Sequence, residues 1–180
     1  MAIFGGQYNV ETQRQRNRLN QVWDREGCFW KTSDQTIINN TTLQNITELS
    51  LYPIKPFEKI NFKYVVWYCA NISSNIRFAI TTPASCNVYY APTGSIQYST
   101  TGTFVQVQTA NASACTINFA GLGANYVPTA PRANSLLAEI IGSVEVGATG
   151  GFLNIQFSQV SSMASANAAI LKNSHLIITT

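Results

Sequence analysis

The run Ile60-Asn61-Phe62-Lys63-Tyr64-Val65-Val66-Trp67-Tyr68-Cys69 constrains this chain more than any other stretch. It is the densest collection of β-branched and aromatic residues in the sequence, and such side chains fit a pleated, half-buried surface. At its end the run is apolar on both faces, as in a central strand of a packed sandwich. A strand of that kind is not stable alone, so the rest of the chain has to supply neighbours and a second layer.

The remaining sequence offers short strand signals separated by turns. Thr36 to Ile38 leads into the polar Asn39 to Thr42; Glu48 to Leu51 follows, then a segment punctuated by Pro53 and Pro56. After a turn over Asn71 to Asn75, Ile76 to Ile80 reads as a strand stopped at Thr82-Pro83. Val88 to Tyr90 and Phe104 to Val107 flank a connection rich in Gly, Ser and Thr, and Cys115 to Phe119 and Leu136 to Val146 extend the pattern. Gly147 to Gly151 is a turn cluster; a strand follows it, whereas a phosphate loop would need Gly-Lys-Ser/Thr opening a helix. Phe152 to Ser158 alternates cleanly, with Leu153, Ile155 and Phe157 on one face and Asn154 and Gln156 on the other. Ala164 to Leu171 is expected to be a loop, because Ser and Asn dominate and no apolar stripe extends it. His175 to Thr179 closes the chain as a strand. Eight or nine short strands between turn signals predict an antiparallel sandwich or jelly roll, not alternating β-α-β units.

Charge adds a second constraint. Only 11% of residues are Asp, Glu, Lys or Arg, against about 25% in an ordinary globular domain. Polarity comes from Asn, Ser, Thr and Gln, and of these Ser, Thr and Asn disfavour helices by competing for backbone hydrogen bonds. A monomer so poor in charge risks association, whereas a subunit packed in an assembly has less need of that protection.

The net charge of +3 is unevenly placed. Arg14, Arg16 and Arg18 sit together, while Thr82 to Thr180 carries only Arg132, Glu139, Glu145 and Lys172. Residues 1–28 therefore read as an N-terminal arm or short helix, and 29–180 as one β domain. The arm has an apolar tip at Ile3-Phe4, then a polar stretch whose large apolar positions are Val10, Leu19, Val22 and Trp23. These are too few for a self-contained amphipathic helix or coiled coil. The arm is expected to become ordered against a partner through Ile3, Phe4, Arg14, Arg16, Arg18 and Trp23. A spacing of two lets all three arginines face one acidic surface from an extended chain. Nucleic-acid binding is not expected, since it normally brings wider basic coverage.

Candidates for chemistry are few. Cys28, Cys69, Cys86 and Cys115 include no closely spaced pair, and His175 has no partner near it in sequence, so neither a metal centre nor a cofactor is expected. The cysteines read as buried free thiols. No Gly-x-Ser-x-Gly elbow accompanies His175, which reads as a packed or surface histidine. Glu139 and Glu145, six apart on one strand and sharing a face, are the best carboxylate pair for sugar hydrolysis but read as solvent-exposed. With no convergent acid, base or nucleophile, a non-enzymatic role is expected. Trp67 and Tyr68 read as core or subunit interface. Tyr89, Tyr90 and Tyr98 are candidate contacts for a glycan or another surface. No apolar stretch is long enough to span a membrane and no secretory signal opens the chain, so synthesis in a cytoplasm without export is expected.

Trp30-Lys31-Thr32-Ser33-Asp34-Gln35-Thr36, followed by Thr41-Thr42-Leu43-Gln44 and Glu48-Leu49, resembles the opening of a jelly-roll domain found in phage virion proteins. The order continues with an aromatic strand (Phe62 to Tyr68), a strand before a proline (Ile76 to Ile80), a Gly-rich turn, Leu153 to Phe157 with Gln159, and a last strand over Ser174 to Ile178. The resemblance covers about residues 29 to 180. It implies a compact jelly-roll-like β-sandwich, often trimeric, placed on heads, fibres or tail tips, with no catalytic residues. The chain is accordingly expected to be a virion component: a capsid decoration or cement protein, or a head-fibre subunit. It would work as a homo-oligomer, a trimer, docking on the major capsid protein or another virion protein through its arm. The alternative is a glycan-recognising, receptor-binding domain of a tail fibre or tail tip. Residues 84–135 and the first 28 match nothing in the family, and target specificity is expected there.

Overall fold

The computed structural model describes residues 27–94, 115–119, 121, 125–127 and 135–179. These form two antiparallel sheets packed together, with twelve strands among the described residues. The path alternates between sheets. β1 (Gly27–Trp30) and β2 (Gln35–Ile38) lie in the first sheet, β3 (Gln44–Asn45) and β4 (Tyr52–Ile54) in the second, and β5 (Lys59–Ala70) in the first again. β6 (Ile76–Thr81) returns to the second, β7 (Asn87–Gly94) to the first, and β8 (Cys115–Phe119) to the second. β9 (Leu136–Glu145) joins the first, β10 (Gly151–Gln159) the second, and β11 (Asn167–Ile170) and β12 (His175–Thr179) close the first.

In the first sheet, β9 pairs with one side of β5 and carries β7 outside it. β12 and β11 lie end to end along the other side of β5, with β1 outside β12 and β2 outside β11. In the second sheet, β3 and β4 lie along one side of β10, and β6 then β8 along the other. This interleaved order of strands, in two sheets that share one core, is the jelly-roll arrangement.

β5 is the central strand that its composition predicts. Its even-numbered residues Ile60, Phe62, Tyr64, Val66, Tyr68 and Ala70 all point into the core. They meet Ile76, Phe78 and Ile80 of β6 and Leu153, Ile155 and Phe157 of β10. Tyr68, Phe78 and Phe119 form an edge-to-face trio with centroids 5.3 to 6.1 Å apart, a geometry that puts ring edges on ring faces. Gly142 of β9 is required at its place: a Cβ there would lie 2.4 Å from the Tyr89 carbonyl oxygen and 2.5 Å from the Phe62 ring.

Several expectations need correction. Ala164 to Leu171 is not a loop throughout, since Asn167–Ile170 is β11, held between β2 and β5. Its small side chains have weak strand preference, but two neighbours with open edges supply the hydrogen bonds. Glu48 to Leu51 forms turns, with Glu48 at φ 70 and Leu51 at φ 65. The strand count exceeds eight or nine because both ends of the jelly roll use pairs of short strands. The first strand begins at Gly27, two residues inside the segment assigned to the arm. The rest of that arm, and the Phe104 to Val107 strand, lie outside the described residues.

The break between β1 and β2 faces the break between β11 and β12. The Lys31 N–H donates to the Ser174 carbonyl at 2.8 Å, and the Asn173 N–H donates to the Lys31 carbonyl at 2.9 Å. Two residues thus oppose one, a bulge, with Asn173 in the left-handed region at φ 70. Ser174 fills the resulting gap in the ladder: its hydroxyl accepts the Trp67 N–H at 3.0 Å and donates to the Leu171 carbonyl at 2.7 Å.

Candidate functional site

The bulged joint holds the one cation whose side chain is wholly enclosed among the described residues. Lys31 has a side-chain exposure of 0%. Its ammonium donates to Thr47 Oγ1 at 2.8 Å and lies 3.4 Å from both Thr47 O and Gln35 Oε1. Glu48 sits 3.7 Å away, partly exposed. Burial pulls the Lys31 ammonium below its ordinary range, and Glu48 partly offsets that. The Glu48 carboxyl is held below its usual range, first by the Thr32 hydroxyl and N–H that donate to it, with Lys31 adding to the effect. Gln35 completes the clasp: its Oε1 accepts the Thr47 N–H at 2.9 Å, and its Nε2 donates to the Asn45 carbonyl at 2.9 Å. Asp34 accepts the Lys172 N–H at 2.6 Å and the Tyr126 hydroxyl. Residues 31–35 and 45–48 thereby tie the edge of the first sheet to the β3–β4 connection. The polar residues that open the jelly-roll resemblance are the ones in this clasp, and their partners give them a structural task.

The clasp lies beside the outer face of the first sheet. Residues paired across antiparallel strands share a face, so register defines that surface. One row is Trp30, His175, Val65 and Glu139; the next is Cys28, Ile177, Lys63, Ile141 and Ala91. Trp67 and Leu137 form a further row beyond Val65. The face is apolar at its centre, where Val65 is buried and the residues around it are exposed: Trp30 to 53%, Trp67 to 38% and Ile141 to 44%. The Trp30 and His175 rings stack with centroids 4.4 Å apart. Beyond Trp67, the same face is covered by the chain itself, where Tyr126 packs on Cys69, Ala169 and Leu171.

Among the described residues, the lysines and glutamates of this face form two ion pairs within it. Lys63 reaches Glu139 at 2.9 Å, and Lys59 reaches Glu145 at 2.7 Å. Glu145 holds the Lys59 ammonium above its ordinary range, and Lys59 holds the Glu145 carboxyl below its own. Glu139 and Glu145 do share a face, but each is committed to a lysine of β5, a cross-strand arrangement that stabilises a sheet. No group of three or more His, Cys, Asp or Glu able to hold a metal occurs among the described residues.

The residues singled out from sequence fare differently. Ile3, Phe4, Arg14, Arg16, Arg18, Trp23 and Tyr98 lie outside the described residues. Tyr89 stands half-buried on the outer face, opposite Ser143. Tyr90 is not a surface contact: it points the other way and is in the core. Trp67 and Tyr68 are separated in the same way, Trp67 outward and Tyr68 inward. Cys69 and Cys86 are buried and in no disulfide, whereas Cys28 is exposed. His175 is half-buried against Trp30. Sequence reasoning missed Trp30, Ile141 and Ile177 as a surface. The available signal lay in β5, where the outward series Lys59, Asn61, Lys63 passes into Val65 and Trp67.

Neither a protein-family model nor a curated protein sequence matches the chain. What the fold defines is a class: an antiparallel β-sandwich with jelly-roll strand order.

Proposed function

We propose that this chain is a structural subunit of a virus particle, a capsid decoration or cement protein or a head-fibre subunit. It works as a homo-oligomer and attaches to the major capsid protein or another virion protein. Attachment runs through the N-terminal arm, where Ile3, Phe4 and Trp23 offer apolar contacts and Arg14, Arg16 and Arg18 meet carboxylates. The observation that carries this reading is the outer face of the first sheet. There, a chain with only 11% charged residues exposes two tryptophans and an isoleucine around ion pairs already satisfied among themselves. Exposed apolar surface of this kind belongs to proteins that pack against others. Jelly-roll order and the resemblance of residues 29 to 180 to phage virion domains support the viral setting, although fold alone assigns no function.

The test is co-sedimentation of the purified full chain with empty expanded phage capsids lacking it. Binding is expected, and the combined change Arg14→Gln, Arg16→Gln, Arg18→Gln should weaken it at least tenfold. Absence of binding to shells, together with binding to intact host cells, would replace this reading with the glycan-recognising tail-fibre alternative. That alternative keeps Tyr89 among the described tyrosines, while Tyr90 is enclosed.

A further inference from the structure

We infer that the outer face of the first sheet, centred on Trp67, Ile141 and Trp30, is where a second copy of this chain docks. The inference deepens the proposed function by naming a two-fold contact between copies, beside any trimer that the resemblance implies, and it rests on that reading only for its biological setting.

Charge identifies the occupant. Lys63 and Glu139 lie side by side on neighbouring strands, joined at 2.9 Å, in the middle of the exposed apolar residues. Lys59 and Glu145 repeat the arrangement further along the same two strands at 2.7 Å. A partner of net charge finds no complement on such a face. A lysine and a glutamate side by side are, however, complementary to their own two-fold image: each lysine can stand over the other copy's glutamate. A two-fold contact uses the same patch on both subunits, so the apolar centre also meets its like. The two indoles, at 53% and 38% exposure, offer about 200 Å² between them. That is a substantial start toward the roughly 800 Å² per partner of a stable interface.

The fold also shows where covering is already complete. Tyr126 closes the neighbouring part of the same face over Cys69, Ala169 and Leu171, and there the apolar residues are buried. Trp30 and Trp67, by contrast, remain 53% and 38% exposed.

Sedimentation velocity of the purified full chain between about 1 and 100 μM, a range that brackets ordinary μM self-association, tests the inference. An oligomer is expected. Trp67→Lys and Ile141→Lys should each weaken its association at least tenfold while keeping the far-UV circular dichroism of the sandwich. Both positions are solvent-exposed, and either variant suffices if the other fails to fold. Ile72→Lys, at an exposed apolar residue in the β5–β6 turn, should leave association unchanged. A full chain that sediments as a monomer throughout overturns the inference, as does an oligomer untouched by both face variants or dissociated equally by Ile72→Lys. A monomer that still binds capsids removes this interface and leaves the proposed function standing. An oligomer sensitive to the face variants but blind to capsids does the reverse.

Discussion

Replacing Lys31 by Met or by Ala separates the two ways in which this residue can hold the joint between β1 and β2. Its alkyl stem fills enclosed space, and its ammonium makes one short hydrogen bond, to Thr47 Oγ1 at 2.8 Å. Hydrogen bonds to charged groups contribute about 1.5–3 kcal/mol. The ion pair to the partly exposed Glu48, at 3.7 Å, adds at most about 1 kcal/mol. Against these stands the cost of taking an ammonium out of water, several kcal/mol. Methionine keeps the length and the apolar volume and removes the charge. It also orphans no donor, because the Thr47 hydroxyl and N–H still reach Gln35 Oε1 at 3.0 and 2.9 Å. Lys31→Met is therefore expected to lie within about 1 kcal/mol of the parent protein, or above it. Lys31→Ala leaves a cavity as well, and should fall about 2–4 kcal/mol below the methionine variant. Urea denaturation followed by circular dichroism at neutral pH measures both, with unchanged slopes showing that the unfolding reaction is the same. If methionine is as damaging as alanine, the ammonium and its bonds hold the joint, and the reasoning from desolvation is wrong.

Two further outcomes follow from buried and half-buried polar groups. The Tyr64 hydroxyl is enclosed in the core with no hydrogen-bond partner, and burial pushes its ionisation far above the ordinary phenol range. Tyr64→Phe should stabilise the domain by about 1 kcal/mol, seen as a rise of about 2–4 °C in melting temperature for a domain of this size; a fall of that size would mean the hydroxyl is satisfied. For Glu48, the folded carboxyl titrates below its ordinary value of 4.5, so its contribution is fully present above that pH and is lost as the pH falls through the folded value. The stability difference between the parent and Glu48→Gln should therefore be up to about 1 kcal/mol at pH 7, given the exposure of the pair. It should shrink as the pH falls below 4.5 and close once the pH is below the folded value, whereas a difference that does not shrink with acidity would place the effect elsewhere.

Much of the sandwich is legible in the sequence because its strands carry their own signals. β5, β6 and β10 are dense in β-branched and aromatic residues or alternate with period two, so local side-chain fit and the sheet pattern agree. Those signals, with a composition poor in helix formers and ionised groups, determine an antiparallel all-β domain. They cannot determine which side of a strand faces the core when both are apolar. Val88-Tyr89-Tyr90 and Trp67-Tyr68 read alike in sequence; pairing of β7 and of β5 with β9 sends Tyr90 and Tyr68 inward and leaves Tyr89 and Trp67 outside. A shift of one residue in register would exchange them. Only the tertiary structure turns Asn167–Ile170 into a strand, because β2 and β5 present open edges on both sides of it. Only the tertiary structure encloses Lys31, since its partners Gln35, Thr47 and Glu48 come from two segments that meet when the sheets pack. Side-chain chemistry within a few residues fixes the strands; burial and pairing depend on contacts distant in sequence, which no local pattern encodes.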